Sequence, residues 1–204
     1  TNAELVRALF LGGNSSIDKT KQIEIATEWD TIEKELNNQS LWYFITKRNQ
    51  KDYDNKIELL FDLIAKKKGN DREKYRTFFY FYDEVNNENK DKSEIWKDIL
   101  SYYQQLVEWY DNTDIYHKIG YLVASETCEI SDLIDESKGK GKKEFQDSLD
   151  KKIADSINFD DYSDLRYDKN SDRPLIERIL LLFNIETIRQ KHDPLFRFPF
   201  DRHK

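Results

Sequence analysis

Residues 93–110 read SEIWKDILSYYQQLVEWY, and this stretch decides the fold class. Its large apolar side chains recur at steps of three and four residues, which places them on one face of an α-helix. Ser93 is a residue type that caps helix N-termini. The apolar face consists of Ile95, Ile99, Tyr103, Leu106 and Tyr110, widened by Trp96, Leu100 and Val107. A helix with so wide an apolar face packs on two neighbours, so the stretch predicts a bundle of helices.

The same spacing recurs along the rest of the chain. Further apolar stripes are Leu5, Ala8 and Leu9; Ile25, Trp29, Ile32 and Leu36; Ile57, Leu60, Phe61 and Ile64; Tyr75, Phe78, Phe79, Tyr82 and Val85; Phe145, Leu149, Ile153 and Ile157; and Ile176, Ile179, Leu180 and Phe183. No convincing run alternates with the period of two that marks a half-buried strand. The sequence therefore predicts an all-α fold, an irregular multi-helix bundle of about 8–10 helices. We expect short extended segments only at the C-terminus, where Pro199 interrupts helical hydrogen bonding.

Local signals set the predicted helix ends and the domain organisation. Thr1-Asn2-Ala3-Glu4 matches a capping box, and Pro174 suits the first turn of a helix. The apolar residues 41–45 are predicted to form a buried helical turn, and residues 132–143 to return the chain to solvent. We expect a single helical domain over residues 1–204, with a division into 1–125 and 126–204 as the alternative. The sequence is interpreted as a fragment of a larger protein.

Composition excludes several classes of protein. The chain has 40 acidic and 33 basic residues in 204, a formal net charge of −7, which does not fit a free-standing basic nucleic-acid binder. Its single cysteine, Cys128, excludes an intrachain disulfide and fits a reducing compartment, so a cytoplasmic location is expected. No apolar run approaches the roughly 20 residues of a membrane-spanning helix, and no membrane partner is expected.

One pattern resembles half of a calcium-binding loop. Asp168-x-Asn170-x-Asp172 has the alternate oxygen ligands of an EF-hand, but Arg173 stands where the loop needs glycine. Ile179 occupies the place of the bidentate glutamate. The pattern is therefore interpreted as a polar helix entry, and no metal site is predicted.

The sequence also lacks the elements of a catalytic site. The three histidines, His117, His192 and His203, have no second ligand at helical spacing, as a zinc site would need. Cys128 has no motif that orients a base towards it, and we interpret it as a small buried side chain. Glycine-rich phosphate-binding loops are missing as well. We expect no catalytic residue and no cofactor within these 204 residues.

Two basic stretches are candidates for nucleic-acid contact. The first comprises Lys138, Lys140, Lys142 and Lys143, and the second comprises Arg197, Arg202 and Lys204 next to His203. Clustered cations bind nucleic acid by neutralising backbone phosphates and releasing their counterions. The alternative for the first stretch is a solvated linker that keeps the chain soluble.

Four blocks of sequence, in order along the chain, resemble the GmrSD-type restriction endonuclease family. They are TNAELVRALFL at 1–11, IATEWDTIE at 25–33, WYF at 42–44 and RFPF at 197–200. Members of that family have a ParB/sulfiredoxin-like N-terminal domain that uses nucleoside triphosphate, a helical region, and often a C-terminal HNH nuclease domain. This chain resembles the helical region alone. The resemblance assigns no catalytic residue here, because the surroundings of His203 do not match the HNH motif.

The resemblance implies a role that depends on the neighbouring domains. The larger protein would be a DNA endonuclease of phage defence that uses nucleoside triphosphate and a divalent metal. This helical region would be its non-catalytic scaffold, coupling the flanking domains of the same polypeptide and contacting DNA through the larger protein. The alternative is a helical protein–protein interaction module with no nucleic-acid role, whose aromatic faces bury a partner. A third hypothesis is a small-molecule enzyme, and the absence of catalytic motifs argues against it.

Overall fold

The computed structural model describes residues 1–12, 17–87, 91–159, 162–191 and 197–202. These residues form ten α-helices and three short 3-10 helices without any strand, which confirms the all-α prediction. The helices are α1 (Asn2–Leu11), α2 (Lys19–Glu35), α3 (Gln39–Ile45), α4 (Ile57–Ile64), α5 (Arg76–Asn86), α6 (Lys92–Asp111), α7 (Thr113–Ala124), α8 (Ile130–Ser137), α9 (Lys142–Ser156) and α10 (Arg173–Arg189). The 3-10 helices are Gln50–Asp52, Tyr162–Asp164 and Phe200–Arg202. His192, His203 and Lys204 lie outside the described residues.

The chain forms two compact units. Unit 1 contains Thr1–Trp42 and Arg48–Val107, and unit 2 contains Tyr43–Lys47 and Glu108–Lys204. The boundary therefore falls inside α6, whereas the sequence suggested a division after residue 125 as its alternative. Within the described ranges no helix is both long enough and apolar enough to cross a membrane.

The core of unit 1 is aromatic. Trp29 of α2 stacks on Trp96 of α6 with ring centroids 6.0 Å apart, and it contacts Phe61 of α4 at 5.1 Å. Phe10 and Phe81 extend this cluster from α1 and α5. The predicted stripe of α2 is confirmed, because its four apolar residues, Ile25 to Leu36, are all buried.

Two helices of unit 1 begin or face differently from the prediction. The Thr1 capping box of α1 is present, but α1 buries Asn2, Ala3, Val6 and Phe10 and leaves Leu5 exposed. The predicted Leu5, Ala8 and Leu9 face was wrong, because α1 carries apolar residues on two sides. In α6 the helix begins before Ser93, whose backbone N–H is bound by the carboxylate of Asp91 at 3.4 Å.

Unit 2 is built around α7, in which nine residues are buried. Phe44 stacks on Tyr116 of α7 at 5.1 Å, and Trp109 stacks on Phe145 of α9 at the same distance. The prediction that residues 132–143 return to solvent was wrong for its first half. Residues 132–137 belong to α8, which buries Leu133 and Ile134.

Candidate functional site

A short C-terminal segment packs on α7 in unit 2. We call residues 197–202 the C-terminal clamp. Phe198 and Phe200 are both buried, and their rings lie 4.9 Å apart. The hydroxyl of Tyr116 donates to the carbonyl of Phe198 at 2.9 Å, and the backbone N–H of Phe198 donates to Nε2 of His117 at 3.3 Å. Two consecutive side chains of α7 therefore bind both backbone polar groups of Phe198.

The predicted basic residue Arg197 lies at the start of the clamp and binds protein groups. Its guanidinium donates to the carbonyls of Tyr110 at 2.7 Å and of Asp111 at 2.9 Å, and lies over the rings of Tyr110 and Tyr116. These carbonyls belong to the last turn of α6, where carbonyls lack helical partners and a cation suits the negative end of the helix dipole. Arg197 thus joins the clamp to the end of α6.

The clamp fits α7 because one residue of that helix is glycine. A Cβ atom at position 120 would overlap Cδ2, Cε2 and Cζ of the Phe200 ring. Gly120 is buried in the middle of α7. The ring of Phe200 also packs against the ring of Tyr116, with the ring centroids 5.4 Å apart. The absence of a side chain at position 120 therefore creates the notch that receives Phe200.

The clamp surroundings shift the ionisation of two α7 side chains. Burial raises the pKa of Tyr116, with a further rise from Tyr110 that the Arg197 cation opposes. Burial lowers the pKa of His117 below its usual 6.5. Both side chains are held in their neutral forms at pH 7, as their hydrogen bonds to Phe198 require.

The first predicted basic stretch is divided by its ion pairs. Lys138 follows α8 and pairs with Asp135 at 2.7 Å, and Lys140 pairs with Glu136 at 2.8 Å. Hydrogen bonds from Lys140, joined by Lys152, hold the pKa of Glu136 below its usual range against the effect of burial. Half of the predicted patch is therefore neutralised locally.

The other half of this stretch faces solvent. Lys142 and Lys143 are the first two residues of α9 and are exposed. Among the described residues neither lysine has an ion-pair partner. They lie at a helix N-terminus, where backbone N–H groups also favour anions. Of the second stretch, Arg202 is exposed on the Phe200–Arg202 turn, and Lys204 is among the residues without a described position.

Unit 1 contains a polar cleft that the sequence did not reveal. Its volume is about 640 Å³, and its lining includes Asn2, Arg48, Tyr53, Glu58, Asp62 and Lys67. Asp62 is 3% exposed and accepts hydrogen bonds from Thr77 at 2.5 Å and from Tyr53 at 3.1 Å. Two cations, Arg48 at 3.6 Å and Lys67 at 3.7 Å, lie beside the same carboxylate.

Burial dominates the electrostatics at the base of this cleft. It raises the pKa of Asp62, against the opposing effect of the Thr77 hydrogen bond and the two cations. It also raises the pKa of Tyr53 to about 12. The ammonium group of Lys67 acts on Asp62 from the chain segment that follows α4. The cluster therefore ties the chain around Arg48 and Thr77 to α4. Its sequence signal is the acid at position 62 within the apolar run IELLFDLI.

Two helices present apolar residues to solvent. On α5 the buried residues are Thr77 and Phe81, while Tyr75, Phe79 and Tyr82 are 43%, 51% and 46% exposed. The expected aromatic face consisted of Tyr75, Phe78, Phe79, Tyr82 and Val85, and in the structure Tyr75, Phe79 and Tyr82 of this face are exposed while Phe78 and Val85 are half-buried. We call Tyr75, Phe78, Phe79 and Tyr82 the α5 aromatic stripe.

The outer face of α10 corrects another prediction. Ile176, Ile179, Leu180 and Phe183 were expected to be buried, but α10 buries Leu181 and Ile185 instead. Leu180 is 52% and Phe183 68% exposed. Apolar residues therefore lie on two sides of α10, and only the side with Leu181 and Ile185 is buried.

Asp172 of the calcium-like pattern and Cys128 are the remaining candidates for chemistry, and the contacts around each of them fit a structural role. The carboxylate of Asp172 accepts from the Ser171 hydroxyl at 2.7 Å and from the Arg166 backbone N–H, contacts that hold its pKa below the usual range. Burial raises the pKa of the Cys128 thiol, which disfavours the reactive thiolate. Among the described residues, no cluster of three or more His, Cys, Asp or Glu side chains has a geometry suited to a metal ion.

Comparisons of the chain with protein-family models, with curated proteins and with solved structures find no match.

Proposed function

We propose that this chain is the non-catalytic helical coupling region of a GmrSD-like, nucleotide-dependent DNA restriction endonuclease. The observation that carries the proposal is the C-terminal clamp. The block RFPF, one of the four that resemble the family, is anchored by the two backbone hydrogen bonds of Phe198, by the buried Phe200 and by the two Arg197 hydrogen bonds. A segment held at so many points moves together with the helix that holds it, as transmission between domains requires.

The first block of the resemblance is anchored in a similar way within unit 1. The Asn2 side-chain amide donates to Glu58 of α4 at 3.0 Å and to the carbonyl of Lys74 at 2.9 Å. The IATEWDTIE block contributes Trp29 to the aromatic core. The blocks that resemble the family are thus parts of the buried framework, which supports a structural role for them.

Coupling can be measured in the intact protein as the dependence of one activity on another. We expect Phe200→Ala to leave nucleotide hydrolysis within twofold of the parent rate and to lower DNA cleavage at least tenfold. Phe183→Ser, at an exposed position, is the matched control and leaves both activities unchanged. Equal loss of both activities in Phe200→Ala, or of neither, would contradict a coupling role for the clamp.

The family relationship has its own test in the complete gene. We expect an Asp-Gly-Gln-Gln-Arg-like element upstream of these residues and an HNH histidine downstream. The purified 204 residues should show neither nuclease nor triphosphatase activity. The proposal would be refuted if the gene contained neither element. It would also be refuted if the 204 residues alone showed metal-dependent cleavage.

Direct DNA contact by this region would depend on Lys142 and Lys143. Removing two phosphate contacts lowers the slope of log affinity against log salt by about 1.8. We expect that change for the Lys142→Gln, Lys143→Gln double variant. The control double variant Lys138→Gln, Lys140→Gln removes lysines already paired with acids and keeps the slope. If the first variant also keeps the parent slope, these residues do not contact DNA.

A second candidate function, a protein–protein interaction module, is favoured by the α5 aromatic stripe. Exposed tyrosine and phenylalanine side chains are enriched at interaction hot spots. A photo-crosslinking residue at position 79 of the intact protein distinguishes the two functions, with position 31 on exposed α2 surface as the control. Crosslinks to a flanking domain of the same polypeptide support coupling, and stoichiometric crosslinks to one separate protein support the interaction module.

A further inference from the structure

His117 stands at the point where the clamp meets α7. The residue is 4% exposed, and its ring accepts the backbone N–H of Phe198 on Nε2. The neighbouring Tyr116 hydroxyl donates to the carbonyl of the same Phe198. The two contacts differ in their dependence on pH. The Tyr116 hydroxyl is a donor that does not titrate near neutral pH, whereas His117 must act as an acceptor and can do so only in its neutral form.

An imidazole nitrogen accepts a hydrogen bond only while it carries no proton. Neutral His117 therefore carries its proton on Nδ1 and leaves the Nε2 lone pair for Phe198. A proton on Nε2 would place two N–H donors against each other in a buried site. The cost includes both the lost bond and a buried donor without an acceptor.

Charged groups on the surrounding segments disfavour the imidazolium further. Arg197 lies on the clamp itself, and Arg189 and Glu186 face His117 from α10. Glu186 is the one carboxylate in this set, and it is paired with Arg189 at 2.6 Å. Tyr116 contacts the His117 ring edge-on at 5.2 Å and contributes a neutral hydroxyl. Two guanidinium groups thus oppose a single carboxylate that is already engaged.

We propose that the C-terminal clamp is a proton-sensitive latch, closed on α7 while His117 is neutral and released when Nε2 takes up a proton. Release exposes Phe198, Phe200 and the Gly120 notch, and it frees the last carbonyls of α6 from Arg197. The latch is a property of unit 2 and does not depend on the DNA-related function.

The pH window follows from the direction of the His117 shift. Burial lowers the pKa of His117 in the closed state, and Arg189 and Arg197 act in the same direction, against the Thr113 backbone and Glu186. In the released state the pKa returns to about 6.5. The released form then binds more protons, so the closed form loses stability as pH falls below about 6.5. The opening constant rises by up to tenfold per pH unit until the closed-state pKa is reached.

Residue-resolved hydrogen exchange measures this opening directly, because the Phe198 amide is the donor in question. We expect its protection, corrected for the intrinsic pH dependence of exchange, to be constant above about pH 6.5 and to fall by up to tenfold per unit below it. In His117→Gln the amide oxygen accepts the same N–H without titrating, so protection should not change with pH. The other two histidines remain in that variant as internal controls.

Two further readouts keep the test decisive. The Leu149 amide of α9 reports opening of the whole unit, which also frees His117, so its protection falls in the same pH window but should stay higher than that of Phe198 at every pH. The His117 ring resonances of the parent protein should titrate below 6.5 even if the variant fails to fold. A ring that titrates at or above 6.5, equal pH slopes in parent and variant, or protection at Phe198 as high as at Leu149 would each overturn the latch.

Discussion

Gly120→Ala should reveal how tightly the clamp fits α7. The added Cβ would overlap three carbons of the Phe200 ring, which is itself 2% exposed. The ring has little freedom to move within its site, because Phe198 and Tyr116 contact it at 4.9 and 5.4 Å. We therefore expect the alanine to expel Phe200 from the notch.

The size of the effect is a difference between two opposing terms. Alanine is favoured over glycine inside a helix by about 1 kcal/mol, so the substitution would stabilise α7 if the space were empty. Loss of a buried phenylalanine costs about 1.5–3 kcal/mol, and its ring contacts add about 0.5–1.5 kcal/mol. The loss of the ring contacts exceeds the helix preference, and we expect a net destabilisation of about 1–3.5 kcal/mol.

Urea unfolding followed by far-ultraviolet circular dichroism measures this free energy. The decisive comparison repeats the substitution in a Phe200→Ala background, where no ring fills the notch. There the helix preference alone remains, and Gly120→Ala should stabilise the protein by about 1 kcal/mol. The same destabilisation in both backgrounds would show that the ring does not occupy the notch.

Three other contacts can be tested by the same unfolding measurement, two of them against a control substitution at an exposed position. Thr77→Val removes a donor to the buried carboxylate of α4 and should cost about 1–3 kcal/mol; no loss would mean that this bond is not formed. Arg197→Met removes two charge-assisted bonds to α6 and should cost about 2 kcal/mol, whereas exposed Arg202→Met should have no effect. Leu181→Ala should cost about 2–5 kcal/mol and Phe183→Ser less than about 0.5 kcal/mol, and the reverse order would mean that α10 faces the core with its other side.

The helices themselves could be predicted from the sequence, but the side that each one buries could not always be. In α2 the large apolar residues other than exposed Ile23 lie on one stripe, so periodicity identified Ile25, Trp29 and Ile32 as core residues. In α10 apolar residues cover two sides, and spacing alone cannot say which side meets the rest of unit 2. The packing of α10 on the rest of unit 2 determines that Leu181 and Ile185 are the buried residues.

The candidate sites depended on contacts that are distant in sequence. Gly120 and Phe200 are 80 positions apart, and neither residue type signals a notch by itself. The basic stretch was interpreted without α8, so the i,i+4 pairing of Glu136 with Lys140 was missed. Asp62 could have been found, since a carboxylate within an apolar helix needs buried partners.

The tryptophans described in the two cores make the units separately visible to spectroscopy. Trp29 and Trp96 lie nearly parallel, with 10° between their planes, in unit 1, and Trp42 belongs to the same unit. Unit 2 has only Trp109 of the four tryptophans, stacked on Phe145. Excitonic coupling of the parallel indoles would report on unit 1 alone. With Trp29, Trp42 and Trp96 replaced by phenylalanine, the emission of the remaining indole would follow unit 2 without any added label.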